Sequence, residues 1–187
     1  MEKKEFTPGL RQKLFEAMTG RGGNVAGGGS LTEKLVAAFG PGKRGAAVDV
    51  RAAAKGLGVT PRTVQRWVSG QIRAPKPGHA KQLDKMARQA ATTKAGRRAA
   101  LAAARGDRAS RFGATLLVQG TQGPRDYERP KRRTTLDLTG MDVDEMREAY
   151  EASGDKGLVS WANGWLDENY VDDWNIEKID DWDINPK

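Results

Sequence analysis

Cysteine is absent from the 187 residues, which excludes disulfides, thiol catalysis and thiolate zinc sites. Histidine occurs once, at His79, so most histidine-based metal centres and acid–base arrangements are excluded as well. No apolar run approaches the ~20 residues that span a bilayer. The opening MEKKEFTPGL is basic but has no apolar stretch behind it, so it does not read as a secretory signal. A soluble, cytoplasmic chain is the expectation. With 37% hydrophobic and 30% charged residues, it should hold a modest core within a good deal of solvated chain.

What is present is charge, unevenly placed. Residues 1–133 hold 28 Lys and Arg against 9 Asp and Glu, a net of +19, and residues 134–187 hold 4 against 15, a net of −11. A basic segment of this size points to a polyanion partner, because neutralising phosphates releases condensed counterions. The acidic remainder cannot share that surface. It can pack on the basic part, meet another protein, or discourage non-specific DNA binding.

Periodicity divides the chain further. Residues 8–18 read as an amphipathic helix with Leu10, Leu14, Phe15 and Met18 on one face. GRGGNVAGGGS follows as a flexible link. It lacks the Gly-Lys-Ser/Thr of a phosphate loop. Ser30 and Glu33 form a Ser-x-x-Glu capping box for a helix with Leu31, Leu35, Ala38 and Phe39 in a stripe, ended by GPGKRG. A compact helical block spans residues 46–91, and TTKAGRRAALAAARGDRASRF reads as a basic surface helix interrupted near Gly106. ATLLVQGT and RRTTLDLTG read as strands joined by the loop GTQGPRDYERPK. Residues 142–153 and 157–169 read as helices. In DDWNIEKIDDWDI, Trp174, Ile176, Trp182 and Ile184 share one parity, as in a strand, while Lys178 and Ile179 break the alternation. No internal repeat is visible. The expected fold class is α+β: N-terminal helices and a Gly-rich link (1–45), a helix-turn-helix with a basic extension (46–111), and an acidic mixed C-terminal part (112–187).

The helix-turn-helix expectation rests on VRAAAKGLGVTPRTVQRWVSGQI. Ala54 is small where a second helix would cross closely, and Gly58 suits a left-handed turn. Val59 would plug the turn, with Val64, Trp67 and Val68 inward. Thr60 is a good N-cap, Pro61 sits where its missing N–H costs nothing, and Gly70 supplies the stop. The outward face then holds Arg62, Thr63, Gln65, Arg66 and Ser69, residue types that reach base edges or phosphates. Arg73, Lys76, Lys81 and Lys85 continue the basic surface. The competing reading is a helical hairpin with a solvated basic face and no DNA partner. His79, after Pro77-Gly78, is expected to be exposed.

Chemistry gives a weaker signal. Residues 142–153 lack the central Gly and terminal Glu of a calcium loop, and Asp172, Asp173, Asp180, Asp181 and Asp183 have no metal-ligand spacing, so both read as solvated acidic surface. Thr115, Thr121, Thr134, Thr135 and Thr139 lie among Arg111, Arg125, Arg129, Arg132 and Arg133. From spacing alone this is β-propensity beside a solvated loop.

GLGVTPRTVQRWVSGQIRAPK, the following Ala/Arg/Lys segment, the mixed α/β region and the acidic end with alternating aromatics resemble the terminal proteins of linear Streptomyces chromosomes and plasmids. The resemblance covers most of the chain after about residue 46. It implies a protein primer rather than an enzyme. A threonine hydroxyl becomes linked to the 5′ end of telomeric DNA and primes the synthesis that fills the terminal gap. The implied partners are double-stranded and telomeric DNA, a telomere-associated recruiting protein, and a DNA polymerase that brings Mg, with no cofactor intrinsic to the chain. Self-association stays open, no membrane is expected, and the location would be nucleoid-associated. In the family the linked threonine lies between the basic helix and the acidic part. Here that makes Thr121 the leading position, at a strand end with Arg125 and Arg129 nearby, followed by Thr115, Thr134 and Thr135. From another class comes a transcriptional repressor with an acidic dimerisation or ligand domain. A third reading is a replication or partition factor that binds DNA without a covalent link.

Overall fold

The computed structural model describes residues 8–25, 28–102, 104 and 106–187. The N-terminal residues 1–7, on which the signal-peptide reading falls, and part of the Gly-rich link lie outside them. Among the described residues, nine α-helices and a three-stranded antiparallel sheet make a mixed, mostly helical α+β chain. No described helix is long and apolar enough to cross a membrane.

The helices are α1 (Pro8–Thr19), α2 (Leu31–Phe39), α3 (Val50–Leu57), α4 (Pro61–Val68), α5 (Pro77–Thr92), α6 (Lys94–Leu101), α7 (Arg108–Phe112), α8 (Gly140–Ser153) and α9 (Asp155–Asn169). The strands are β1 (Ala114–Pro124), β2 (Arg129–Leu138) and β3 (Trp174–Pro186), in the order β2-β1-β3. The capping box holds: the Glu33 N–H donates to Ser30 Oγ and the Ser30 N–H to the Glu33 carboxylate. A second one, Thr139 with Asp142, starts α8.

Two main cores form. Leu35, Val48, Ala53, Ala54, Leu57, Val64, Trp67 and Leu83 pack α2 to α5 together. Leu116, Val118, Leu136 and Leu138 of the sheet bury against Val143, Met146 and Tyr150 of α8 and Leu158 and Leu166 of α9. Leu10, Leu14 and Met18 of α1 join this second core. A smaller cluster of Phe15, Val25, Ala37, Ala87, Ala90, Ala91 and Ala100 lies apart from both.

Several local expectations change. The described part of the Gly-rich link is packed rather than loose: Val25 is buried and its N–H donates to Gln12 Oε1 at 2.8 Å. Its one valine has an apolar cluster to enter, and that fixes the segment. Strand β1 runs three residues past Thr121, so the hairpin loop shrinks to residues 125–128. In β3 the pairing with β1 skips Asp180 and Glu177. Each skip is a bulge that moves the next residue to the other face, so Ile179 turns inward and Ile176 and Trp174 follow on that face. Gly120 sits opposite this irregularity; a Cβ there would lie 1.9 Å from the Lys178 carbonyl.

The basic segment is not simply a surface helix. Arg97 of α6 is buried. Its Nε donates to Glu151 O at 3.1 Å, Nη1 to Ala91 O at 3.1 Å and Nη2 to Ala152 O at 3.2 Å. These carbonyls end α5 and α8, so one guanidinium closes two helix C-termini, where cations are favoured. Arg147 of α8, also buried, donates to Asp107 Oδ2 at 2.8 Å and to Ala104 O at 3.1 Å.

Asp107 carries a pH consequence. Partial burial raises its pKa, but hydrogen bonds from Arg147 and from the Ser110 N–H outweigh that and hold it below the usual carboxylate value. A depressed folded pKa gives stability that is present above the unfolded value of about 3.9 and lost as pH falls through the folded one. Acidification from about pH 5 to pH 3 should therefore lower the thermal midpoint. Asp107→Asn, which keeps the N-cap of α7, should start lower at neutral pH and lose less on acidification. An equal acid loss in both proteins would contradict this role for Asp107.

Candidate nucleic-acid interface

The α3–α4 pair is built from short-range signals. Asp49 caps α3 by accepting from the Ala52 N–H at 2.9 Å. Gly58 ends it in the left-handed region (φ 65°, ψ 33°), where a side chain is strained, and the Val59 N–H returns to Ala54 O at 3.0 Å. Thr60 caps α4 through the Thr63 N–H, and Pro61 takes its first position. Ala54 is 4% exposed, Val64 0% and Trp67 4%, so the close crossing is apolar and dry. Val68 is half-buried.

With that face inward, Arg62, Gln65, Arg66 and Ser69 are exposed. Thr63 is half-buried, and its hydroxyl lies 2.9 Å from that of Thr60, so it serves the cap as well as the surface. Arg73 and Lys76 are exposed in the connection to α5, and Lys81, Lys85 and Arg88 along α5. His79 is half-buried, its ring 6.1 Å from that of Trp67, because the first turn of α5 lies over that indole.

Residues 50–92 carry 9 Lys and Arg against a single acid, Asp84, a net of +8. Lys34 Nζ lies 2.8 Å from Asp84. None of the 9 cations has an acidic partner within ion-pair distance among the described residues. Sequence reasoning missed Arg51 and Lys55 of α3 and Arg88 of α5, all exposed in the same helical unit. Their spacing on two other helices gave no local sign of a shared unit.

The threonines separate by strand face. Residues directly opposite in an antiparallel pair share a face. Thr134 pairs with Val118 on the buried face and is 5% exposed. Thr115, Thr121 and Thr135 lie on the outer face. Thr115 is half-buried between Asp137 and Asn185, and Thr135 is exposed opposite Leu117. Thr121 is half-buried inside β1, not in the loop, and lies opposite Lys178. Lys178 Nζ is 2.7 Å from Asp180 Oδ1. Arg125 and Arg129, the neighbours expected from sequence, are exposed at the hairpin end. Lys178 itself was not foreseen, because strand register is invisible in a single sequence.

Fold and surface thus define a mixed α+β chain with a cationic helical unit and a sheet whose outer face carries threonines. No family model, curated protein or solved structure matches it.

Proposed function

We propose that the chain binds double-stranded DNA through a helix-turn-helix formed by α3 and α4, and that it serves as a terminal protein of linear replicons. The carrying observation is the division of α4: Val64 and Trp67 buried, Arg62, Gln65, Arg66 and Ser69 exposed, within a unit of net charge +8. A helix held on one face and cationic on the other fits the major groove, with its N-terminal residues toward base edges. Arg73, Lys76 and the α5 cations would neutralise flanking phosphates. The acidic C-terminal part would keep non-specific DNA off the rest of the surface.

The terminal-protein reading is supported by the resemblance and by the hydroxyls on the outer sheet face. In the step proposed, Thr121 Oγ attacks the α-phosphorus of a deoxynucleoside triphosphate. An ester bond forms, pyrophosphate leaves, and the hydroxyl proton passes to a base of the polymerase, whose Mg supplies the metal. Cations near the acceptor favour this, because charge accumulates on the phosphate oxygens. Thr121 is preferred because Lys178 lies directly opposite. Thr135 follows by its exposure. Thr115 faces Asp137, and Thr134 is buried. Incubation with a labelled deoxynucleotide, a polymerase and a telomeric template should label the protein. Thr121→Ala should abolish the label and leave duplex binding intact. An unlabelled wild type would sink the priming reading; an undiminished adduct in Thr121→Ala would sink the choice of threonine.

One observation favours the repressor reading. Phe112 is 67% exposed and Met141 73%, on segments that meet where Gly140 packs on the Ser110 carbonyl. A second copy could cover them. A dimer with a symmetric footprint would support a repressor; a protein–DNA adduct at duplex ends would not.

A further inference from the structure

We infer that the tip of the β1–β2 hairpin is a second nucleic-acid contact, one that takes single-stranded DNA by stacking an unpaired base on Tyr127. Tyr127 is 75% exposed, the most exposed of the large apolar side chains described. It sits in a tight turn closed by its own N–H on Pro124 O at 2.9 Å. The Arg125 N–H ties the turn to Asp173 O at 2.9 Å. The ring is therefore presented on a fixed base, with no ring contact of its own among the described residues.

Charge around the ring fits a phosphodiester chain. Residues 125–133 hold 5 Lys and Arg against 2 acids. Arg129 and Lys131 are exposed and in no ion pair among the described residues, and Arg133 is exposed with its charge acting on Asp181. Arg125 has Asp173 at 3.6 Å, both more than 60% exposed, which is a screened pair of little strength. Glu128 accepts from Asn175 Nδ2 at 2.9 Å, which holds its carboxylate toward β3. Arg132 is spent inside the protein, stacked on Trp174 at 4.5 Å.

Edge protection explains part of this. Strand β2 lies at the sheet edge, where Pro130 and the lysine and arginines blunt pairing with another chain. It does not explain an exposed tyrosine, which adds apolar surface where protection needs none. A ring at a convex tip meets a base face only where bases are unstacked, as in a single strand; in a duplex those faces cover one another. Aromatic side chains flanked by cations are the recurring means of holding single strands, independent of sequence. This contact stands apart from the duplex reading of α4 and from the covalent step.

The test uses the full chain, a fluorescein-labelled oligothymidylate of about 15 nucleotides, and a duplex selected by the wild type, both read by anisotropy. Tyr127→Ala should weaken oligothymidylate binding about tenfold or more and leave duplex binding unchanged. Tyr127→Phe should bind as wild type does. The pair Arg62→Ala/Arg66→Ala should show the reverse pattern, so that failure of the α4 reading is visible separately. Because Tyr127 is exposed, the variants should melt as the wild type does. Three outcomes overturn the inference: no oligothymidylate binding by the wild type, unchanged binding by Tyr127→Ala, or equal loss on duplex and single strand.

Discussion

Trp67→Ala should destabilise the protein by about 3–5 kcal/mol, as expected for truncating a buried tryptophan. The indole is 4% exposed in the cluster that joins α2, α3, α4 and α5, among Leu57, Val64 and Leu83, with His79 against it. The surrounding side chains relax only partly into the vacated volume, so a cavity remains and its walls lose contacts. Total stability for a domain of this size is on the order of 5–15 kcal/mol, so the loss is a large share of it. With a urea dependence of about 1–3 kcal/mol per molar, the midpoint should fall by at least about 1 M. Under the proposed function duplex affinity should weaken with it, because the helix that carries Arg62 and Arg66 loses its buried anchor. Trp67→Phe should recover much of both. A midpoint within error of wild type for Trp67→Ala would show that this cluster does not hold the helical unit.

Arg97→Ala should cost a comparable amount, on the order of 3–5 kcal/mol, because it strands three buried acceptors at about 1–3 kcal/mol each. The side chain is 6% exposed and carries three charge-assisted hydrogen bonds to Ala91 O, Glu151 O and Ala152 O. Removing it leaves the last carbonyls of α5 and α8 without their donors and opens a void under α6. Dry, unpaired acceptors are expensive, whereas the net gain from a satisfied one is modest. Arg97→Lys retains the charge but not the planar fork, so it should fall between wild type and alanine. The check is thermal or urea unfolding of both variants. Arg88→Ala serves as a comparison, because Arg88 is exposed on α5 with no ion pair among the described residues and should cost far less. Equal effects at the two positions would refute the helix-closing role of Arg97.

These two residues also mark how far the sequence could be read. Trp67 was legible: with Val64 three residues before it, a threonine cap, Pro61 and a turn glycine, every signal is local and points to one buried face. The Ser30–Glu33 box and the strands β1 and β2 were legible for the same reason. Arg97 was not. It sits in an Ala/Arg/Lys stretch whose composition matches a solvated helix, and what buries it are carbonyls about 55 residues further on. Thr121 shows the intermediate case. Its strand was foreseen, but the strand's true end at Pro124 and the lysine opposite depend on bulges in β3. Ile179 and Lys178, the residues that broke the alternation, were the local trace of those bulges.

In the proposed function, α4 presents Arg62 and Arg66 to duplex DNA. The most direct test of this is the affinity of Arg62→Ala/Arg66→Ala for a duplex selected by the wild type from a random pool, measured over a range of salt. Both residues are exposed, so stability should change by no more than about 0.5 kcal/mol each. A loss of at least about tenfold is expected. Where an arginine meets phosphate, the dependence on log salt should also flatten by about one per residue. A folded double variant with wild-type affinity and an unchanged salt slope would contradict this role of α4.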